Sequence, residues 1–259
     1  KFLLNTPEFS TTRAELAQKS VDAILDFGEK GFPGILVETI AIFINNLAAP
    51  ANTKVFSLTH RLHLTQPQAY IFDPELPYWI IYRNQLFDSV CRKLDFDVFE
   101  VFRDRQLTNK LLSSSGELRV LKSRNLSDDG KEILDIPGYD SYISYAAAKP
   151  LSVFQYLDAP NVYLTPNMTY KPRMMKKPPH CVVNGSLAIL IPKGGIVPTE
   201  KQLAYFSSEE YRAFYQIARN FQTRSLNVDA CSVFFYGLLR DEAKPAPEKF
   251  DTSVQLSFL

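Results

Sequence analysis

Cationic and amide side chains crowd into one short stretch of this chain, residues 102–110. Its donors are Arg103, Arg105, Gln106, Asn109 and Lys110. Arginine presents a fork of donors that matches the guanine edge in the major groove, and asparagine or glutamine pairs with adenine there. This mixture indicates a loop that reads the bases of DNA. The alternative is a solvated loop with local ion pairs, for instance between Asp104 and a neighbouring arginine.

Two further stretches carry cations of the kind that contact phosphate oxygens. In the first of these, Lys122 ends a strand predicted over residues 117–122, and Arg124 and Asn125 follow directly after it. Between Asp158 and Glu200 there is no acidic residue, yet the segment contains five Lys or Arg. The phosphate contacts predicted from it are Lys171, Arg173, Lys176 and Lys177. Neighbouring prolines favour an extended backbone here, and the alternative is an ordinary solvated face.

A fourth cationic stretch follows a helix predicted over residues 207–221. Its candidate DNA contacts are Arg219, Arg224 and Ser225. Arg219 is explained equally well by the favourable position of a cation at a helix C-terminus. Arg224 and Ser225 lie beyond the helix, where that explanation does not reach.

No pattern in the sequence predicts a catalytic or metal-binding residue in this chain. The glycine-rich stretch from Asp26 to Gly34 follows a predicted strand, as a nucleotide-binding loop does. Such a loop must open a helix whose N-terminus meets phosphate, whereas another apolar segment follows here, so we predict a structural turn. The three cysteines are widely spaced and the three histidines form no cluster. Spaced cysteines of this kind fit a reducing cytoplasm.

The composition fits a folded protein with a sizeable core, since 46% of the residues are hydrophobic and 22% are charged. The net charge is +1, so any nucleic-acid site must come from local clustering of cations. No apolar run is long enough to suggest a membrane span, and we expect no membrane contact.

The pattern of the first fifty residues predicts an α/β arrangement. We expect a helix over residues 8–19 with Thr6 as its N-cap, a strand over 21–27, and a strand over 35–45 buried on both faces. Beyond residue 66 the segments are shorter and mixed. They include predicted helices over 84–94 and 207–221, and strands over 96–102, 117–122 and 232–239.

Together these stretches resemble one family, the adenine-specific DNA methyltransferases of type II restriction–modification systems. Residues 5–9 (NTPEF), 12–13 (TR), 24–32 (ILDFGEKGF) and 37–40 (VETI) look like the last part of that family's catalytic domain. Five further segments look like the target-recognition region of that family: residues 102–106 (FRDRQ), 120–125 (VLKSRN), 167–173 (NMTYKPR), 183–186 (VNGS) and 218–225 (ARNFQTRS). The resemblance covers nearly the whole chain.

The resemblance implies an enzyme that binds S-adenosylmethionine, flips the target adenine out of the duplex and methylates its amine. The family's Asn-Pro-Pro-aromatic motif and its glycine-rich cofactor motif do not occur in this sequence. Both are expected upstream of Lys1, in a longer protein. No catalytic residue is therefore carried over, and this part alone is expected to bind no cofactor and to be inactive.

The implied fold class is α/β, with the terminal strands and helix of a Rossmann-like methyltransferase sheet followed by a mixed α+β target-recognition domain. The expected boundaries are 1–55 for the end of the catalytic domain and 56–259 for the recognition domain. The expected partners are double-stranded DNA and the upstream catalytic domain of the same protein.

Two other readings of the chain remain open at this point. One is a free-standing DNA specificity subunit without an enzymatic half. The other is part of a fused restriction endonuclease–methyltransferase, for which Asp95, Asp97 and Glu100 could be offered as metal-binding carboxylates, although their pattern fits the solvent-facing side of a strand.

Overall fold

The computed structural model describes residues 1–223 and 227–241, which form two compact units. The first unit comprises Lys1–Lys93 together with the described residues from Phe214 to Thr223 and Asp241. The second unit comprises Leu94–Ala213 and Asn227–Arg240. Both contain helices and strands, so the protein is of the mixed α/β class. Within the described ranges, no helix has the length and apolarity needed to cross a lipid bilayer.

The helices of the first unit are short. They are α1 Phe2–Asn5, α2 Ser10–Ala17, α3 Gln68–Ile71 and α4 Gln85–Lys93. The predicted first helix is present, but it starts as a 3-10 turn at Pro7, and the Thr6 hydroxyl donates to the Phe2 carbonyl instead of capping it. The helix predicted over 84–94 is confirmed as α4. The Asn84 side chain accepts a hydrogen bond from the Phe87 amide at 3.0 Å, which satisfies one free donor of its first turn.

A four-stranded sheet organises the first unit, with strand order β2-β1-β3-β4. Its strands are β1 Ser20–Gly28, β2 Thr39–Asn45, β3 Asn52–Ser57 and β4 Leu62–Pro67. Strands β1 and β3 are parallel, and the other two pairings are antiparallel. The expected boundary after residue 55 falls inside β3, whose hydrogen bonds to β1 and β4 continue the sheet to Pro67.

The prediction of a doubly buried strand over residues 35–45 is wrong. The strand begins only at Thr39, and β2 lies at an edge of the described sheet, paired with β1 alone. Leu36 in the preceding loop is 63% exposed and Phe43 in the strand is 53% exposed. A continuous apolar run does not distinguish a central strand from an edge strand, because that difference depends on neighbours the local pattern does not contain. The glycine-rich stretch before it is a turn between antiparallel strands, as predicted.

The second unit contains three sheets built from short strands. Its strands are β5 Leu94–Asp95, β6 Phe99–Phe102, β7 Leu118–Leu121, β8 Ser141–Ile143, β9 Tyr163–Pro166, β10 Met175–Lys176, β11 Cys181–Val183, β12 Leu187–Pro192 and β13 Leu238–Leu239. Their orders are β10-β9-β12-β6, β11-β7-β8 and β13-β5. The predicted strands over 96–102 and 117–122 are therefore present in shortened form.

Side chains from the two larger sheets form one apolar core in the second unit. It includes Val120 and Ile143 from one sheet and Leu164 and Ile189 from the other, all of them buried. The unit's helices are α5 Tyr145–Ala148, α6 Glu200–Tyr205 and the first part of α7 Glu209–Ala218, whose remaining residues belong to the first unit. The helix predicted over 207–221 is confirmed as α7, with shorter ends.

The strand predicted over residues 232–239 is wrong in most of its length. The chain forms a 3-10 turn over Ser232–Phe235, and only Leu238–Leu239 is extended. The Asp229 carboxylate accepts a hydrogen bond from the Ser232 amide at 2.8 Å, which favours a turn at this point. Phe234 then stacks on Phe96 at 5.2 Å between ring centroids, so aromatic packing explains the apolar pattern.

Candidate nucleic-acid interface

The turn formed by residues 183–186 lies at the centre of the predicted recognition stretches. A Cβ atom added at Gly185 would lie 2.6 Å from the main-chain oxygen of Asp104. Real Cβ atoms do not approach this closely, so only glycine lets residues 102–110 pack against this turn. We call residues 183–186 the anchor turn.

The anchor turn also contacts the second cationic stretch, residues 122–125. The Ser186 hydroxyl accepts a hydrogen bond from the Ser123 amide at 2.9 Å and donates one to the Asn184 side chain at 2.6 Å. The Asn184 amide donates to the carbonyl of Leu121 at 3.1 Å. Two loops that are far apart in the sequence are thus joined by the Ser186 hydroxyl and by one main-chain hydrogen bond.

Asn167 ties the third stretch to the same turn. Its side-chain nitrogen donates to the Gly185 carbonyl at 3.0 Å, and its main-chain amide donates to the Ser186 carbonyl at 2.9 Å. Its side-chain oxygen accepts a hydrogen bond from the Val228 amide at 3.1 Å. The structure therefore brings together three of the four predicted stretches, together with the segment that begins at Asn227.

In the first stretch, the Asp104 carboxylate stabilises its own loop. It is buried, and it accepts hydrogen bonds from the amides of Leu107 at 2.9 Å and Gln106 at 3.3 Å. The considered ion pair between Asp104 and a neighbouring arginine does not form. Within residues 1–223 and 227–241, the guanidinium groups of Arg103 and Arg105 have no hydrogen-bond or ion-pair partner.

The two arginines of this loop are electrostatically coupled. Partial burial lowers the pKa of Arg103, and the nearby charge of Arg105 lowers it further, while Asp229 acts in the opposite direction. Two like charges held close together favour the binding of an anion or of an electron-rich base edge.

The two side-chain amides of this stretch, Gln106 and Asn109, differ in how many of their hydrogen-bonding groups are already used. The Gln106 side-chain oxygen accepts a hydrogen bond from the Ser152 amide at 2.7 Å, which leaves its amide nitrogen to contact a ligand. Asn109 and Lys110 are exposed on a 3-10 turn, Asn109–Leu111. The loop therefore presents forked cations and amide donors on the surface.

In the second stretch, the structure separates one exposed cation from two residues with internal roles. Asn125 is fully buried and donates to the Asp140 carboxylate at 2.7 Å. The Lys122 ammonium donates to the Tyr139 carbonyl and, at 3.0 Å, to the Ser141 hydroxyl. Arg124 is exposed, with its guanidinium 4.7 Å from the centre of the Tyr139 ring. Of the three predicted contacts, Arg124 is the accessible one.

The third stretch, residues 167–177, also contains both exposed and buried cations. Lys171 and Lys176 are exposed, whereas Arg173 and Lys177 are only 8% and 4% exposed. The Lys177 ammonium donates to the carbonyls of Leu157 at 2.7 Å and Pro178 at 3.0 Å. Burial lowers the pKa of both Arg173 and Lys177. These two cations hold the loops in place.

Arg173 connects the second and third stretches directly. Its guanidinium donates to the carbonyls of Ser123 and Leu126, each at 3.2 Å. The fourth stretch is placed differently, because Arg219 is buried in the first unit. Arg224 and Ser225 lie outside the described residues.

Two residues of the surface were missed in the sequence. Met168 is 59% exposed and Tyr170 is 47% exposed, both on the loop that follows Asn167. An aromatic and a thioether side chain next to cations can stack on or wedge between bases. The available signal was that Met168 and Tyr170 lie just before Lys171 and Arg173.

The carboxylates considered for a nuclease are engaged by cations of their own unit. Asp95 pairs with Arg240 at 2.7 Å, and Asp97 pairs with Lys193 at 2.6 Å. Glu100 lies in β6, on the edge of its sheet. In the part of the chain that the structure describes, no three His, Cys, Asp or Glu residues are grouped so as to hold a metal ion.

Comparison of the chain with protein-family models and with curated proteins found no match. Its functional assignment therefore depends on the motifs of the sequence and on the geometry of this surface.

Proposed function

We propose that the second unit is the DNA target-recognition module of a site-specific adenine-N6 methyltransferase of a restriction–modification system. The observation that carries this proposal is the pair Arg103 and Arg105. Among the residues that the structure describes, both guanidinium groups lack a protein partner, on a loop that is fixed by the Asp104 hydrogen bonds and by close packing on Gly185. Pre-positioned, unpaired arginines are what bidentate recognition of guanine requires.

The proposed surface divides base reading from phosphate binding. Arg103, Arg105, Gln106 and Asn109 contact base edges, because forked cations and amides discriminate between base pairs. The exposed cations assigned to phosphates are Lys110, Arg124, Lys171 and Lys176. The buried Asn125, Arg173 and Lys177 position the loops, and contact with DNA is not assigned to them.

The first unit is proposed to be the end of a Rossmann-like catalytic domain. The parallel pair β1 and β3, flanked by antiparallel β2, is compatible with the last strands of such a sheet. We assign no S-adenosylmethionine contact to the glycine-rich turn after β1, since it leads into a strand instead of a helix.

The test is methylation of a library of near-cognate duplexes by the full-length enzyme. We expect Arg103→Ala or Arg105→Ala to cost about 1–3 kcal/mol in discrimination and to relax selectivity at one base pair. The matched control is Arg212→Ala, an exposed arginine on α7 outside the four stretches. If neither loop variant changes the preferred site, this loop is not the reader.

The same experiment distinguishes the two alternatives. Sequence-specific binding without methyl transfer by the full-length protein supports a free-standing specificity subunit. Metal-dependent cleavage of the duplex supports a fused endonuclease–methyltransferase.

A further inference from the structure

A cavity of about 760 Å³ lies in the second unit, between the loop at residues 129–131, strand β10 and helix α6. Its apolar floor includes Met174, Met175 and Leu203, and Met174 is buried. Three lysines line it and are exposed to solvent, which makes the cavity an open groove. They are Lys131, Lys176 and Lys201, and we call this site the lysine groove.

The three ammonium groups of the lysine groove are unengaged. Within residues 1–223 and 227–241, none of them has a hydrogen-bond or ion-pair partner. Two acids also line the groove, so it carries one net positive charge. Of these, Asp129 is committed to its own loop, since its carboxylate accepts hydrogen bonds from the Ser127 hydroxyl at 2.6 Å and the Lys131 amide at 3.1 Å. These hydrogen bonds lower the pKa of Asp129 and keep it ionised.

The walls of the groove are fixed by specific contacts. Gly130 has φ of +72°, and a Cβ atom there would lie 3.0 Å from the main-chain oxygen of Met174. Glycine thus allows the loop to pack directly on the strand-forming segment beneath it. On the other side, the Ser207 hydroxyl donates to the Asp129 carbonyl at 2.7 Å.

The groove is continuous with the proposed DNA-contact surface. Lys171 pairs with Asp128 at 3.3 Å, immediately before the loop that forms one wall. Arg173, which precedes the floor residue Met174, is bonded to the carbonyls of Ser123 and Leu126 in the second stretch. A duplex bound along this surface can therefore extend its backbone into the groove.

We propose that the lysine groove binds backbone phosphates of the duplex, beside the base pairs that the first stretch reads. This inference rests on the proposed function and adds Lys131 and Lys201 to the contact surface. Lysine is a flexible point charge that suits phosphate oxygens, and the groove offers no forked guanidinium or amide donor for reading a base. Its apolar floor accommodates the deoxyribose that accompanies each phosphate.

Duplex binding by the 259-residue chain and its variants tests the proposal. We expect Lys131→Ala and Lys201→Ala each to reduce the slope of log affinity against log salt by about 0.9, and the double variant by about 1.8. Cognate and non-cognate duplexes should weaken by the same factor, because phosphate contacts carry no sequence information. Glu200→Gln should strengthen both, since it removes an opposing charge. The matched control is Lys149→Ala, an exposed lysine outside the groove.

A second measurement does not depend on variants. Acetylation of lysine amines in the wild-type chain, read by mass spectrometry, should be suppressed at Lys131 and Lys201 by bound duplex, and not at Lys149. A deoxynucleoside monophosphate at equal phosphate concentration should give no protection. Equal protection by the mononucleotide would overturn the assignment to duplex DNA and identify a small-molecule phosphate site.

The outcomes separate this proposal from the proposed function. Duplex binding with an unchanged salt slope in the double variant, or with Lys131 and Lys201 still fully reactive, rejects the groove and leaves the reading loop intact. Failure of the wild-type chain to bind any duplex at low salt rejects both.

Discussion

The cations of the second unit either face solvent or are buried against main-chain carbonyls. This difference determines whether each residue can contact a ligand or instead stabilises the fold. Arg105 and Lys176 are exposed and Arg103 is half-buried, and none of the three charges has a partner among residues 1–223 and 227–241. Arg173 and Lys177 direct their charge at main-chain carbonyls inside the fold. A buried ammonium that satisfies two carbonyls contributes to stability, because its removal leaves buried acceptors without donors.

The pair Lys177 and Lys171 tests this distinction with the same substitution. We expect Lys177→Met to lower the free energy of unfolding by about 1–3 kcal/mol, because the buried Leu157 carbonyl and the partly buried Pro178 carbonyl lose their donor. Lys171→Met removes only an exposed ion pair with Asp128, so it should change stability by less than about 1 kcal/mol. In duplex binding the order reverses, and only Lys171→Met should reduce the salt slope. Urea unfolding and a salt titration measure the two effects, and equal destabilisation by both variants would contradict the assignment.

Lys177 should also give the protein a pH-dependent stability in the alkaline range. Burial lowers the pKa of Lys177 below its usual 10.5 in the folded state, with Cys181 and Asp158 opposing the shift. Between the folded and unfolded pKa values the unfolded chain binds more protons, so the free energy of unfolding rises with pH. The stability of the wild type relative to Lys177→Met should therefore increase as the pH rises towards about 10.5. A difference that stays flat over this range would show that Lys177 is not held as an ammonium in a desolvated site.

At the scale of elements, helices and strands with a clear local signal could be predicted and those defined by their neighbours could not. α4 and α7 have polar starts and one apolar face, which the sequence displays directly. The edge position of β2 depends on which strands pair with it. The turn at residues 232–235 depends on the Asp229 side chain and on aromatic contacts with Phe96.

The residues of the candidate site likewise have some properties that could be predicted from the local sequence and others that depend on tertiary contacts. The cationic stretches could be found from residue types, but the burial of Asn125, Arg173 and Lys177 depends on contacts with carbonyls far away in the sequence. The Lys131 and Lys201 walls of the groove are likewise joined by the fold, since one lies on a loop and the other on helix α6, far apart in the sequence. Exposure of a polar side chain is a tertiary property, which its local pattern does not specify.

The anchor turn offers a test at the scale of elements. Gly185→Ala places a methyl group 2.6 Å from the main-chain oxygen of Asp104, so the first stretch must move away. We expect a loss of about 1–3 kcal/mol in stability and a loss of selectivity among near-cognate duplexes, although no DNA-contacting side chain is altered. The measurements are urea unfolding and the methylation library.

The control for this variant is Gly194→Ala. Gly194 has φ of +61° and no atoms within 4 Å of an added Cβ, so alanine should cost about 1–2 kcal/mol through backbone strain alone. It should leave selectivity unchanged. If both variants relax selectivity to the same extent, the effect follows from lost stability and the anchor turn has no separate role.

For the whole molecule, a net charge of +1 means that attraction to DNA must come from where the charges lie. Many acids are paired internally, as Asp73 and Asp88 are with Arg83. The exposed cations of the proposed surface lack such partners or, like Lys171, have only solvated ones. Binding should therefore be local and weakly steered at long range, because the remote field of the molecule is close to neutral.

This charge distribution sets the expected salt dependence of the whole chain. With Lys110, Arg124, Lys171 and Lys176 on phosphates, four counterion-releasing contacts give a slope of about −3.6 for log affinity against log salt. If Lys131 and Lys201 also engage, the slope becomes about −5.4. A protein that bound DNA through its net charge alone would give a slope near −1. Titration of a labelled duplex at several salt concentrations therefore distinguishes four phosphate contacts, six phosphate contacts and binding by net charge alone. A slope near −1, or binding that does not depend on salt, would contradict a DNA-reading role for the second unit.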